Sequence, residues 1–251
     1  LIPPPTPSGT NTSCASSRHS SLDSLPTTTI EIDALIPLAE PFDRTSFIEN
    51  GRQDAAVAIR ETLDVVTQSH VSSPVWSLYG LLGYEDMMVF LLQDPQLAGY
   101  AAERILENAK QVIRRGAALG ADVIWIEECL TDQISPNLFR DLNVPLVQQC
   151  VHEIRAQGMK SIYYYCGNPN DRFDAIMDVG ADAVHFEESK KGFDIDIADV
   201  VRKVDRRCVV FGNLDAIGVL EAGSDDALRA EIERQLEAGK DNGNRFVMST
   251  G

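Results

Sequence analysis

The stretch SIYYYCGNPNDRFDAIMDVGADAVHFEES, residues 161–189, decides the fold class. A strand signal rich in aromatic residues at 160–165 is followed by a helical signal at 170–178 and by a second strand signal at 183–187. A helix between two strands returns the chain to the same edge of a sheet, so the strands pair in parallel. This unit is therefore one step of an α/β fold.

The same alternation extends from this unit in both directions. Further helices are predicted at 54–66, 94–120, 145–157, 195–203 and 224–239, and further strands at 72–80, 121–128, 208–212 and 245–249. The strands are apolar nearly throughout, as expected when both faces of a parallel sheet are covered. Six strands with helices between them fit either a barrel or an open doubly wound sheet.

Polar residues at the strand ends favour the barrel. These residues are Glu127 and Glu128, Cys166 and Asn168, Glu187 and Glu188, Asn213 and Asp215, and Ser249 and Thr250. In a barrel they meet at the carboxy-terminal mouth, where barrel enzymes hold their active sites. No strand is followed by a glycine-rich phosphate loop, which argues against a nucleotide-binding sheet. We therefore predict a parallel (β/α)8 barrel of the TIM type, with about six strands present.

The composition argues against two classes of partner. The net charge of −16, from 22 Lys and Arg against 38 Asp and Glu, repels nucleic acid and anionic membranes. No apolar run approaches the roughly 18 to 20 residues of a membrane-spanning helix, and no secretory signal opens the chain. Five irregularly spaced cysteines indicate reduced thiols. We expect a cytoplasmic protein.

The first 28 residues differ from the rest in composition. They are rich in Pro, Ser and Thr and poor in large apolar residues, so burial cannot offset the entropy of ordering them. We predict a disordered tail at 1–28 and one domain at 29–251. The chain begins with Leu and stops after an apolar run, so we also expect a fragment of a longer protein.

Three segments resemble the uroporphyrinogen decarboxylase-like superfamily: YYYCGN at 163–168, GADAVHFEE at 180–188 and the segment opening with VVFGNLDAIG at 209. The resemblance covers roughly 50–251 and looks closer to the corrinoid-dependent methyltransferases than to the decarboxylase. It implies an eight-stranded barrel whose first two strands are missing here. Strands near 74 and 245 would then have unpaired edges, through which copies of the chain can associate as a homo-oligomer.

The methyltransferase resemblance implies a zinc site built from a His-x-Cys pair, a Glu on the next strand and a later Cys. By this resemblance Cys166 and Glu187, or Glu188 instead, are metal ligands. Tyr164 stands where the His should be, and the last Cys would fall beyond Gly251. Zinc holds a thiol as a thiolate, which attacks a methyl group on cobalt. The implied function is methyl transfer to a thiol from a corrinoid or similar donor, with the corrinoid carried by a partner protein.

The remaining site residues lie at the strand ends, in the family-like G-N-L-D motif at 212–215, or, for Trp76, in the segment SPVWSLYG that shares the family resemblance. We expect Asp215, Asn213 and Glu128 to be catalytic, and Tyr164, Asn168 and Trp76 to bind a small-molecule substrate. Each pattern also has a structural alternative. Asn and Asp commonly form turns by bonding their own backbone, a strand cysteine is commonly a core residue, and the paired glutamates can begin a solvated loop.

Two other functions remain open at this point. One is uroporphyrinogen decarboxylation in tetrapyrrole biosynthesis, which needs no cofactor, although the arginines of that branch are not recognisable here. The other is a ligand-binding barrel that has lost its metal site, a reading that Tyr164 in place of His favours.

Overall fold

The computed structural model describes residues 24–189 and 192–251. Most of the tail predicted at 1–28 lies outside these residues. Its last residue, Thr28, caps the first helix: the Thr28 hydroxyl accepts a hydrogen bond from Glu31 N, and the Glu31 carboxylate accepts one from Thr28 N. This reciprocal pair is a capping box, which sets where the first helix begins.

Helices and strands alternate along the described residues. The helices are α1 (Thr29–Leu35), α2 (Arg44–Glu49), α3 (Asp54–Thr62), α4 (Pro74–Leu82), α5 (Tyr84–Gln93), α6 (Pro95–Ala118), α7 (Pro136–Leu138), α8 (Val144–Ala156), α9 (Phe173–Asp178), α10 (Ile197–Val204) and α11 (Asp225–Asp241). The strands are β1 (Gln68–Ser72), β2 (Val123–Cys129), β3 (Lys160–Cys166), β4 (Ala183–Phe186), β5 (Val209–Phe211) and β6 (Phe246–Val247). Within the described ranges, none of the helices has the length and apolar character needed to cross a membrane.

The strands form one parallel sheet in the order β1-β2-β3-β4-β5-β6. Each strand pairs with its neighbours in sequence, so that Tyr164 lies opposite Glu127 on one side and His185 on the other. A doubly wound sheet reverses its strand order part-way along, and this order does not reverse over the described strands. The predicted fold class is confirmed: the sheet is consistent with a partial (β/α)8 barrel, with β1 and β6 at its two ends.

The strand predicted at 72–80 is wrong, because helix α4 covers most of this run. The Ser73 hydroxyl caps α4 by accepting a hydrogen bond from Trp76 N at 3.2 Å, and Pro74 fits the first turn. Apolar side chains are buried at helical spacing: Val75, Leu78 and Leu82. A short apolar run does not by itself separate a buried strand from a buried helix. The true first strand, β1, precedes it and is more polar.

One face of the sheet is covered by helices, and β2 shows the division. Ile124 and Ile126 are buried on the helix side, where α6 and α8 pack against each other and against neighbouring strands. Trp125 and Glu127 lie on the other face and are partly exposed. That other face is the interior surface of the partial barrel.

Strand β3 follows the same rule. Tyr163 and Tyr165 are fully buried on the helix side, whereas Tyr164 and Cys166 are partly exposed on the interior face. Residues two apart along a strand share a face, so the alternation in the sequence decides which side chains reach the interior.

Candidate active site at the barrel mouth

The carboxyl ends of β2, β3 and β4 bring thiols, a carboxylate and aromatic rings together. Cys129 lies opposite Cys166, and Tyr164 lies between Glu127 and His185 in the pairing of the three strands. Glu127 and Cys129 on β2, and Tyr164 and Cys166 on β3, are each two residues apart and so share a face. His185 pairs with Tyr164, and its ring contacts that of Tyr164 on the same face. This end of a barrel is where enzymes of the fold bind substrates.

Cys166 and Glu187 are in direct contact. The Cys166 thiol lies 3.1 Å from Glu187 Oε2 and donates a hydrogen bond to it. Glu187 follows β4 directly and is only 1% exposed, whereas Cys166 is partly exposed. The structure thus joins the two residues predicted as metal ligands and puts Glu187 beside the thiol.

The turn after β3 fixes the position of this thiol. Gly167 has a φ of +131°, and a Cβ atom at this residue would lie 2.6 Å from Cγ of Asp132. Asp132 Oδ2 accepts a hydrogen bond from Asn168 N at 3.2 Å. The buried guanidinium of Arg172 donates to backbone carbonyls of the loop after β2. The two loops are therefore tied together, and glycine is the residue that fits between them.

Cys129 adds a second thiol to the mouth. Its thiol lies 3.9 Å from Glu127 Oε1, and the residue lies directly opposite Cys166 in the strand register. The contact with Cys166, followed by burial and nearby charge, raises the pKa of Cys129 above its usual range. Because its pKa is raised, Cys129 keeps its proton at neutral pH. The Glu127 carboxylate also contacts His70 on β1, with Oε2 lying 3.1 Å from His70 Nε2.

His185 is enclosed by aromatic rings on the interior face. The centre of its ring lies 4.9 Å from that of Tyr164, 5.1 Å from that of Trp125 and 5.6 Å from that of Phe211. Burial lowers the pKa of His185 to about 4, so the imidazole is neutral at pH 7. Its Nε2 lies 3.0 Å from the carbonyl oxygen of Thr250, which assigns the proton to Nε2.

Tyr164 lies on the interior face, as its predicted substrate-binding role requires. Burial, followed by the nearby Cys166 and Glu187, raises the pKa of Tyr164 well above its usual range. The phenol is therefore protonated at neutral pH and can donate a hydrogen bond to a ligand at the mouth.

Glu128 faces away from the mouth, so its expected placement there is wrong. It is fully buried on the helix side, where Oε2 accepts hydrogen bonds from Asn143 Nδ2 at 2.7 Å and from the Tyr163 hydroxyl at 3.0 Å. Burial raises the pKa of Glu128 to about 7. The cause of the difference is strand geometry: adjacent residues point to opposite faces, and Glu127 is the one at the mouth.

Asn213 and Asp215 both hold loops. The buried Asn213 amide donates from Nδ2 to the carbonyl oxygens of Ile195 and Glu187, at 2.8 and 3.3 Å. Asp215 Oδ1 accepts hydrogen bonds from the backbone N–H groups two and three residues later, at 3.0 and 2.7 Å, and so caps the π-helical segment Ala216–Glu221. These contacts match the structural alternative, and the catalytic role of either residue stays a prediction.

The other two predicted binding residues also have structural contacts. Asn168 forms a turn in the loop after β3, where its Oδ1 accepts a hydrogen bond from Asn170 N at 3.0 Å. Trp76 lies on α4 rather than on a strand, and its ring stacks on that of Tyr79 with centroids 4.8 Å apart. Asn168 therefore borders the mouth, whereas Trp76 belongs to the helix that follows β1.

The described sheet and its mouth fall within one family match. The family described as Uroporphyrinogen decarboxylase (URO-D) matches residues 15–251. The chain belongs to the URO-D family. No curated protein matches it. Membership supports a URO-D-like barrel enzyme, and the choice between methyl transfer and decarboxylation rests on the residues at the mouth.

A zinc site, implied by the methyltransferase resemblance, needs about four donors. The URO-D barrel brings two candidate donors, Cys166 and Glu187, into contact, and the Tyr164 phenol keeps its proton. Across residues 24–189 and 192–251, no group of three or more His, Cys, Asp or Glu side chains is arranged to hold a metal ion. The described residues therefore do not complete a zinc site.

Three mouth residues, Glu127, Cys129 and His185, were not among the predicted catalytic, binding or metal-ligating residues. The signal for Cys129 is the alternation in β2, where Ile124 and Ile126 occupy the helix side and the odd-numbered residues the interior face. The signal for His185 is its spacing of two residues from Glu187. Because successive side chains of a strand point to opposite faces, the positions of these residues within their strands predict that they face the interior.

Proposed function

We propose that this URO-D family chain is the barrel of an enzyme that transfers a methyl group to a thiol. One observation carries the proposal: the Cys166 thiol donates a hydrogen bond to Glu187 Oε2 over 3.1 Å at the mouth. A carboxylate that accepts a hydrogen bond from one thiol is suitably placed to accept the proton of another.

Glu187 is the proton acceptor in this proposal. The thiolate, not the thiol, is the nucleophile, so a substrate thiol must lose its proton before it attacks a methyl group. Glu187 takes that proton, and the thiolate sulfur bonds to the methyl carbon. The donor, a corrinoid held by a partner protein, leaves with the electron pair of its bond to carbon.

The other mouth residues position the reactants. The Cys166 S–H orients the Glu187 carboxylate, and the Tyr164 hydroxyl donates a hydrogen bond to the incoming substrate. The neutral imidazole of His185 packs against the rings of Tyr164 and Trp125 on the same face.

Charge favours this function over uroporphyrinogen decarboxylation. Glu127 and Glu187 both reach the mouth, and the whole chain carries a net charge of −16. A tetrapyrrole with many carboxylates would be repelled by these groups, whereas a small thiol would not.

The test uses methylcobalamin as the methyl donor and 2-mercaptoethanol as the acceptor. We expect the chain to form the methyl thioether while the absorbance of the cobalt–carbon bond is lost. Glu187→Gln keeps the shape but removes the proton acceptor, so the rate should fall by roughly 10²-fold or more. Glu188→Gln, the matched change one residue later, should retain more activity.

Two results would overturn the proposal. One is the parental rate in Glu187→Gln. The other is decarboxylation of uroporphyrinogen by a chain that leaves methylcobalamin unchanged.

A further inference from the structure

We propose that Cys129 and Cys166 are a redox pair that a hydroperoxide converts to a disulfide across the barrel mouth. The two cysteines are the last residues of β2 and β3 and lie directly opposite each other in the register of the parallel pair. Neither the URO-D family match nor the proposed methyl transfer assigns a role to Cys129.

The geometry of the sheet suits a disulfide. Neighbouring strands lie about 4.8 Å apart, and disulfides usually join residues whose Cα atoms are about 4.4 to 6.8 Å apart. Cys129 and Cys166 share the interior face, so both Cβ atoms leave the sheet on the same side. They are the last residues paired between the two strands. Bond formation therefore needs no movement of one strand past the other.

The strand ends also provide access. Cys129 and Cys166 are both partly exposed, whereas Cys150 and Cys208 are buried. Each of the paired cysteines is followed by a turn residue with positive φ, Leu130 at 61° and Gly167 at 131°. The strand pairing ends at these two residues.

The chemistry balances with a hydroperoxide as the oxidant. The Cys166 sulfur attacks the terminal oxygen of the peroxide, the O–O bond breaks, and the leaving alkoxide takes the thiol proton to become an alcohol. The Cys129 sulfur then attacks the sulfenic sulfur of Cys166; the S–S bond forms, the S–O bond breaks, and hydroxide leaves with the Cys129 proton as water. The two thiols lose two electrons and two protons in total.

Oxidation would also remove the Cys166 hydrogen bond to Glu187. Methyl transfer should then stop until a thiol reductant restores the pair. This consequence rests on the proposed function, whereas the disulfide itself does not, and the experiment below measures the disulfide without using activity.

The experiment treats the folded full chain with hydrogen peroxide in buffer containing EDTA. Remaining thiols are alkylated with iodoacetamide, and the chain is digested with trypsin without reduction. Cleavage puts Cys129 in the peptide 116–140 and Cys166 in the peptide 161–172, so the disulfide appears as one species joining the two. We expect this species to form with loss of both thiols and to disappear after treatment with dithiothreitol.

The variant Cys129→Ser tests whether the two cysteines react with each other or are oxidised independently. In that variant we expect a sulfenic acid at Cys166 that dimedone traps, in place of the linked peptides. The proposal is overturned if the parent chain retains both thiols or forms the same dimedone adduct to the same extent. It is also overturned if the linkage joins two chains, which a non-reducing gel detects as a dimer.

Discussion

Asn143 donates from Nδ2 to Glu128 Oε2 over 2.7 Å, on the helix side of the sheet. Asn143 is the last residue of the π-helical segment Phe139–Asn143, so an irregular turn brings the amide to the buried carboxyl group. Glu127, the residue before Glu128, points to the opposite face, where its carboxylate lies near the Cys129 thiol. Two adjacent glutamates therefore have separate environments, one in the core and one at the mouth.

The buried carboxyl group of Glu128 should make stability depend on pH. Its pKa is raised to about 7 in the folded chain from an ordinary value of 4.5, so the folded state binds more protons between these two values. The free energy of unfolding should therefore fall as pH rises from about 4.5 to 7, by on the order of 3 kcal/mol, and then level off. Glu128→Gln should lack this decrease, and denaturant titrations of both chains across the range measure it.

The control for this prediction is Glu127→Gln. The Glu127 carboxyl lies outside the Asn143 and Tyr163 network, so this variant should keep the decrease seen in the parent chain. An equal pH dependence in the parent and in Glu128→Gln would show that Glu128 is not its source.

Asn213→Ala should destabilise the chain. The Asn213 amide is buried and donates to the carbonyl oxygens of Ile195 and Glu187, which the shorter side chain leaves without this donor. The expected loss is about 2 kcal/mol, measured by thermal or chemical unfolding. Asn137→Ala, at an exposed position, should change the free energy of unfolding by less than about 0.5 kcal/mol. Equal losses of unfolding free energy in the two variants would show that the Asn213 hydrogen bonds to Ile195 and Glu187 do not stabilise the chain.

Asp215 allows a sharp separation of its structural and catalytic roles. Because Oδ1 accepts both backbone hydrogen bonds of the cap, Asp215→Asn retains the acceptor and Asp215→Ala removes it. The alanine variant should lose about 1 kcal/mol of stability, and the asparagine variant less. If Asp215 also has the predicted catalytic role, methyl transfer falls strongly in Asp215→Asn while the melting temperature barely changes. Full activity in that variant would leave Asp215 with the capping role alone.

Cys166 should react with a thiol reagent before Cys208 and Cys150 do. Cys166 is partly exposed at the mouth, whereas burial raises the pKa of Cys208 to about 11 and that of Cys150 to about 12. Brief labelling of the folded chain with iodoacetamide, followed by peptide mass analysis, gives the order. Labelling in denaturant is the control, since the differences should then disappear. Labelling of Cys208 as fast as that of Cys166 in the folded chain would show that Cys166 is not accessible.

The order of elements could be predicted because it depends on local patterns. The long helix α6 begins at Pro95 after an Asp94 cap, and both signals are visible in the sequence. The strand prediction at 72–80 is wrong because a buried strand and a buried helix have the same apolar content, and the Ser73 cap begins a helix here. The family resemblance pairs Cys166 with Glu187 or Glu188, and the tertiary structure puts Glu187 in contact with the thiol.

The sequence by itself determined that this chain forms a parallel α/β sheet with its chemistry at the strand ends, since alternating helices and strands permit little else. Only the tertiary structure decided that Glu127 faces the mouth and Glu128 the core, and that Asn213 ties two loops. The physical reason is that the side chains of a strand alternate in face, so a shift of one residue in the assignment exchanges interior and core. Hydrogen bonds between residues far apart in sequence, such as that of Asn143 with Glu128, form only once packing has brought the two elements together.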